Sequence, residues 1–206
     1  MGIEIPQNKF LILDGAMGTV LQQRGLSPQG RPELLNLTEP ELLNSVYKEY
    51  IAAGSQVIYA NTFGANGLKL AKTGHSVEEV VGAAIAVAKK AAAGTGTLVA
   101  LDVGPLGELL EPMGTLSFER AYDLFREMAE AGAKAGADLI VVETMTDLYE
   151  AKAALLAAKE AAHLPVFVTM SFDAGGRTFT GCTVASMART LEGLGADAIG
   201  LNCSLG

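Results

Sequence analysis

Three observations predict an α/β architecture built on a parallel sheet. The chain contains six short apolar runs that read as strands, amphipathic helical patterns lie between them, and one small motif recurs where helix passes into strand. The strand candidates span 10–13, 56–61, 98–103, 138–143, 165–172 and 197–203, each rich in Val, Ile or Leu and bounded by Gly, Pro or Asp. The recurring motif is Gly54-Ser55-Gln56, Gly136-Ala137-Asp138 and Gly195-Ala196-Asp197, which reads each time as a glycine helix cap followed by a strand start.

The runs close in turn on Asp14, on Asn61-Thr62-Phe63, on Asp102, on Glu143-Thr144, on Ser171-Phe172-Asp173 and on Asn202-Cys203. Carboxyl ends of parallel strands form the reactive face of a βα protein, and here functional side chains sit at many strand ends instead of at one switch point. Neither a Gly-x-Gly-x-x-Gly after the first strand nor a P-loop is present. That pattern selects a (β/α)8 TIM-type barrel, of which the chain covers the first six βα units. A barrel of this kind runs to ~250 residues, so the 206 residues are expected to form one barrel domain, 1–206, incomplete at its C-terminus.

Helical patterns fill the gaps at 39–53, 76–93, 117–135, 148–161 and 184–194. Thr38 is the expected N-cap of the first, with Pro40 tolerated in its opening turn. Ser76-Val77-Glu78-Glu79 has the form of a capping box, whereas Ser117 is followed by Arg120 where that box would place Glu or Gln. Gly54, Gly94, Gly136 and Gly195 are the expected left-handed caps at helix ends.

Composition narrows the function. The formal charge is −8 with no cluster of Lys or Arg, which argues against nucleic acids and anionic membranes as partners. No apolar run reaches the roughly 18 residues of a membrane span. The Met1–Pro6 segment lacks the basic start and apolar core of a secretory signal, and Pro6 stands where myristoylation requires Ser or Thr. Cys182 and Cys203 then read as reduced thiols in a cytoplasmic protein. Hydrophobic residues at 50% fit strands buried on both faces. Two carboxylates, an amide and a thiol at one mouth form a set suited to gripping an amino acid and holding a soft metal.

Six motifs in order carry a family resemblance: Asp14-Gly15-Ala16-Met17-Gly18-Thr19, Ala60-Asn61-Thr62-Phe63-Gly64-Ala65-Asn66, Asp102-Val103-Gly104-Pro105, Val142-Glu143-Thr144, Asp173-Ala174-Gly175-Gly176-Arg177 and Gly200-Leu201-Asn202-Cys203. Together they resemble the homocysteine S-methyltransferase family over nearly the whole chain, and within it the cobalamin-dependent, methionine-forming branch. The resemblance implies methyl transfer to the thiol of L-homocysteine, giving L-methionine. It implies Zn²⁺ held by three cysteines, of which Cys203 matches the first, while the vicinal pair that supplies the other two is absent from these 206 residues. It also implies methylcobalamin as donor, carried with folate by other domains of a longer protein. By itself the chain is then expected to be inactive.

The resemblance assigns Asp14 and Glu143 to the substrate ammonium; from the residues alone, Asp14 equally suits capping the turn before Gly15, and Glu143 the helix that follows. Backbone N–H groups of Gly15, Ala16, Met17, Gly18 and Thr19 suit the substrate carboxylate, because glycine lets a backbone nest approach an anion, and a plain tight turn is the competing reading. Asn61 suits orienting the substrate or capping a helix. Asp102 reads as structural, Cys182 as an ordinary loop thiol, and His75 and His163 as solvated. Two rivals stand beside this reading: a stand-alone methyltransferase using S-methylmethionine or betaine, and a catalytically silent piece that self-associates through open sheet edges.

Overall fold

The computed structural model describes residues 10–27 and 30–204. Five parallel strands form one sheet in sequential order: β1 Val57–Tyr59, β2 Leu98–Val103, β3 Leu139–Met145, β4 Val166–Met170 and β5 Ala198–Leu201. The order has no switch point, and the sheet is open rather than closed.

The expected first strand is a correction. Within 10–13 only Leu13 bridges β1, at Val57, although the backbone of Ile12 and Asp14 also bonds to Gln56 and Val57. Among the described residues the segment has a partner on one side only, and Phe10 is 90% exposed, so its pairing is limited to a few residues.

Period-two alternation along the strands divides the apolar residues between two faces. Ile58, Val99, Leu101, Ile140, Val142, Val166 and Val168 face the helices and join the main core. Val57, Ala100, Leu139, Val141 and Phe167 face the other way and form a second, small cluster with Leu11, Leu13, Tyr59, Leu98 and Ala198 against it. The same alternation carries Tyr59, Asp102 and Glu143 onto this inner face, above the small cluster.

The helices are α1 Met17–Gln23, α2 Leu35–Thr38, α3 Pro40–Ala52, α4 Gly67–Leu70, α5 Val77–Ala92, α6 Phe118–Ala135, α7 Leu148–Ala162 and α8 Val184–Gly193, with a 3₁₀ turn at Pro32–Leu34. Ser76 and Ser117 cap as expected, accepting from the N–H groups of Glu79 and Arg120. Two expectations fail. Glu79 does not reach back to complete a capping box, because its Oε2 lies 3.0 Å from His75 Nδ1. Thr38 closes α2 with its hydroxyl donating to Leu34 O, leaving Glu39 at the N-cap of α3. Gly54, Gly94, Gly136 and Gly195 all take positive φ beyond their helices, as caps require. Gly132 of α6 serves close packing instead: a Cβ there would sit 2.7 Å from Leu101 Cδ2.

The recurring motif has a structural purpose. Gln56 N–H donates to Ile12 O, and Gln56 Oε1 accepts from Ile12 N–H. Asp138 makes the same two bonds with Val99, and Asp197 with Val166. Each residue thus clasps the start of the neighbouring strand at two points. Lys89 and Lys159 neutralise the two aspartates at 2.6 and 3.1 Å.

Candidate active site

A cavity of about 500 Å³ opens at the carboxyl ends of the strands. Asp14, Gly15, Ala16, Met17, Gly18, Thr19, Asn61, Glu143 and Cys203 all line it, together with Asp102. Glu33, Tyr59, Phe63, Thr144 and Asn202 also line it, and the sequence reading assigned none of them a role.

One wall is acidic. Asp14 Oδ2 accepts from Tyr59 N–H at 3.0 Å, while its Oδ1 is buried with no partner. Burial pushes the Asp14 carboxyl up to about 7, the Tyr59 N–H opposes that, and the nearby Glu143 adds to it. Asp102 is 7% exposed, and its Oδ1 is likewise buried and unpartnered. Burial raises its pKa well above the carboxylate range, with Glu143 and Asp14 reinforcing the shift. Burial also raises Glu143. Among the described residues, the lining contains four carboxylates, counting Glu33, and no Lys, Arg or His. An unpaired buried acceptor is costly, so this wall favours a cationic N–H donor.

Residues 15–19 are not a simple loop. Gly15 and Ala16 lead into α1, so Met17, Gly18 and Thr19 form its first turn, with no side-chain cap at Ala16 and no acid in the turn. Gly15 passes close beneath Tyr50, whose hydroxyl lies 3.0 Å from where a Cβ would stand. Asn61 is anchored to the protein at three points: its Nδ2 donates to Pro32 O at 2.6 Å, its N–H to the Tyr47 hydroxyl at 2.8 Å, and its backbone carbonyl accepts from Asn36. It shapes the wall. Glu33 does the same from the other side, accepting from Gly64 N–H at 2.8 Å.

Sulfur enters the lining beside Glu143, since Asn202 Nδ2 reaches both Glu143 Oε2 and Cys203 Sγ. Cys203 is exposed, with φ 47°, and Thr144 beside it has φ 61°. Thr144 Oγ1 and Asn202 Nδ2 each lie 3.7 Å from Cys203 Sγ. Catalytic zinc sites use three protein ligands. Among the described residues no group of three or more His, Cys, Asp or Glu side chains converges on one point, so Cys203 is at most one ligand of such a set. Cys182 lies away from the cavity, against Thr183 O, and burial raises its thiol.

Comparisons with known proteins bear on this geometry. A model of the family described as homocysteine S-methyltransferase matches residues 11–205. Methionine synthases of Mycobacterium tuberculosis and Mycobacterium leprae are each 31% identical over 224 residues, covering 99% of this chain and 18% of theirs. The chain therefore spans less than a fifth of the length of these curated relatives. Among solved structures, the metallated form of the homocysteine methyltransferase MmuM from Escherichia coli matches with a TM-score of 0.83 at 26% identity, over 95% of this chain and 75% of that one.

Proposed function

The chain belongs to the homocysteine S-methyltransferase family, and from that premise we propose that its cavity receives L-homocysteine and presents the sulfur for methylation to L-methionine. The observation that carries the reading is Asp14 Oδ1, buried and without a partner in a cavity whose described lining residues include no cation. In this reading the substrate ammonium lies between Asp14 and Glu143. Its carboxylate takes the backbone N–H groups that start α1. Its side chain then points toward Cys203, where a new S–CH₃ bond forms as the donor–CH₃ bond breaks.

A free thiol with pKa near 8.5 is only about 3% ionised at pH 7, so the reaction needs help in reaching the thiolate. Zn²⁺, when bound, would hold the substrate sulfur as thiolate. Cys203 is assigned one of its ligand positions, and the others lie outside the described residues. The sequential strand order and the likeness to MmuM support a closed (β/α)8 barrel as the complete domain. The methionine synthase relatives, of which this chain spans a small part, support a longer parent with cobalamin- and folate-binding domains and methylcobalamin as donor. The likeness to MmuM supports a second reading, a stand-alone enzyme using a small donor such as S-methylmethionine or betaine. No helix among the described residues is long and apolar enough to cross a membrane, and a cytoplasmic location belongs to the proposal.

Calorimetric titration tests the clamp directly. L-homocysteine should bind, and 4-mercaptobutanoate, which lacks the amino group, should bind at least tenfold more weakly. Equal affinity for the two would remove the ammonium site from this cavity.

A further inference from the structure

Strand β3 does not run straight into the cavity. Val142 pairs with Val168 and Met145 with Met170, so Glu143 and Thr144 together oppose the single residue Thr169 of β4. This is a β-bulge, and bulges beside active sites re-aim a side chain. Its second residue, Thr144, takes a left-handed conformation that a β-branched side chain resists. Something must hold it there.

We infer that Asn202 is the positioning residue that fixes this bulge and aims the Glu143 carboxylate into the cavity. Asn202 Oδ1 accepts from Thr144 N–H and from Thr169 Oγ1, both at 3.0 Å, and so ties the bulged strand to the residue facing it. Its Nδ2 donates to Glu143 Oε2 at 3.1 Å and to Thr144 Oγ1 at 2.9 Å. Both ends of the carboxamide are thereby used. The Asn202 backbone is itself held, with its N–H donating to Met170 O and its carbonyl accepting from Ser171 Oγ. One oxygen of Glu143 is oriented by the amide, which leaves the other for a ligand. The inference rests on the reading of Glu143 as an ammonium ligand.

The test uses this chain with L-homocysteine and 4-mercaptobutanoate. Asn202→Asp keeps the acceptor for Thr144 and Thr169 but sets a carboxylate against Glu143. It should weaken homocysteine binding on the order of tenfold to a hundredfold and leave 4-mercaptobutanoate unchanged. In a Glu143→Gln background the same substitution should add little, because the two residues act as one unit. Thr169→Val, which deletes one donor to Oδ1 from outside the cavity lining, should weaken homocysteine severalfold, and it keeps the test open should Asn202→Asp fail to fold. Equal loss for both ligands, full additivity with Glu143→Gln, or no effect of Thr169→Val would each overturn the positioning role. Wild-type chain that binds the two ligands equally, or a Glu143→Gln variant with undiminished homocysteine affinity, would instead sink the ammonium clamp on which the inference stands.

Discussion

Strands β2 and β5 run parallel in one sheet and are built from similar small and branched residues, yet they live in different surroundings. Beyond Leu98, every residue of β2 is buried, whereas Ile199 and Leu201 of β5 are 39% and 54% exposed. The difference is one of neighbours. β2 lies between β1 and β3 with α5 and α6 behind it; β5 pairs with β4 alone among the described strands. Burial then sets the chemistry each strand delivers. At the end of β2, Asp102 is buried with an unpartnered oxygen, so its strain is electrostatic. Just beyond β5, Asn202 satisfies its hydrogen bonds and the strain sits in the left-handed backbone of Cys203. The strain delivered to the cavity is thus electrostatic at the end of β2 and conformational just beyond β5.

Core truncation should break this comparison most sharply. Leu101→Ala in β2 is expected to cost about 2–5 kcal/mol, whereas Leu201→Ala in β5 should cost under about 1 kcal/mol. Urea denaturation followed by circular dichroism measures both, and equal costs would mean that β5 is as enclosed as β2.

The clamp comes next. Glu143→Gln should weaken L-homocysteine by about 1.5–3 kcal/mol, the loss of one charged hydrogen bond, as read by calorimetry. An unchanged affinity would return Glu143 to a purely structural role.

The acidic wall should also leave a signature in pH. Asp14 is raised to about 7 in the folded chain, chiefly by burial, above its ordinary value of 3.8. A folded chain that holds the proton more tightly is favoured below that ordinary value, and the contribution is lost as pH rises toward 7. Asp14→Asn should therefore stabilise the unliganded chain at pH 8 relative to pH 5, on the order of 1–2 kcal/mol, because a partly exposed carboxylate keeps some of its water. Melting curves at the two pH values decide it, and parallel behaviour of variant and wild type would show that Asp14 is not strained.

The smallest effect belongs to the exposed ion pairs. Asp197→Asn retains an acceptor for Val166 N–H and loses only the charge partner of Lys159, so a change of no more than about 1 kcal/mol is expected in the same denaturation assay. A larger loss would mean that charge, and not the clasp, holds β5 against β4.

Much of the scaffold was legible because its signals are local. The limits of β2, the caps at Ser76 and Ser117 and the glycine helix ends all depend on residues within a turn of one another. Alternation likewise carried Asp102 and Glu143 to a shared mouth. What stayed hidden depends on distant partners or on weak local signals. The N-cap of α1, Ala16, offers no capping side chain and the helix includes Gly18, so nothing local announces it. Glu33 lies at no strand end and reaches the cavity through Gly64. The work of Asn202 is invisible in sequence because Glu143 and Thr144 lie 59 and 58 positions away, and the bulge that joins them exists only when β3 and β4 are aligned.

The clasps made by Gln56, Asp138 and Asp197 join the first segment to β1, β2 to β3 and β4 to β5, skipping the junctions between. A sheet that is apolar on both faces has little means of detecting a one-step slip, since a shifted strand still buries oil against oil. The clasps supply that missing information, and they do so at the amino ends of the strands, a full strand length from the mouth. Alignment and the cavity thus lie at opposite ends of the sheet. The strands find their partners, two by two, through Gln56, Asp138 and Asp197, none of which is among the residues that line the cavity.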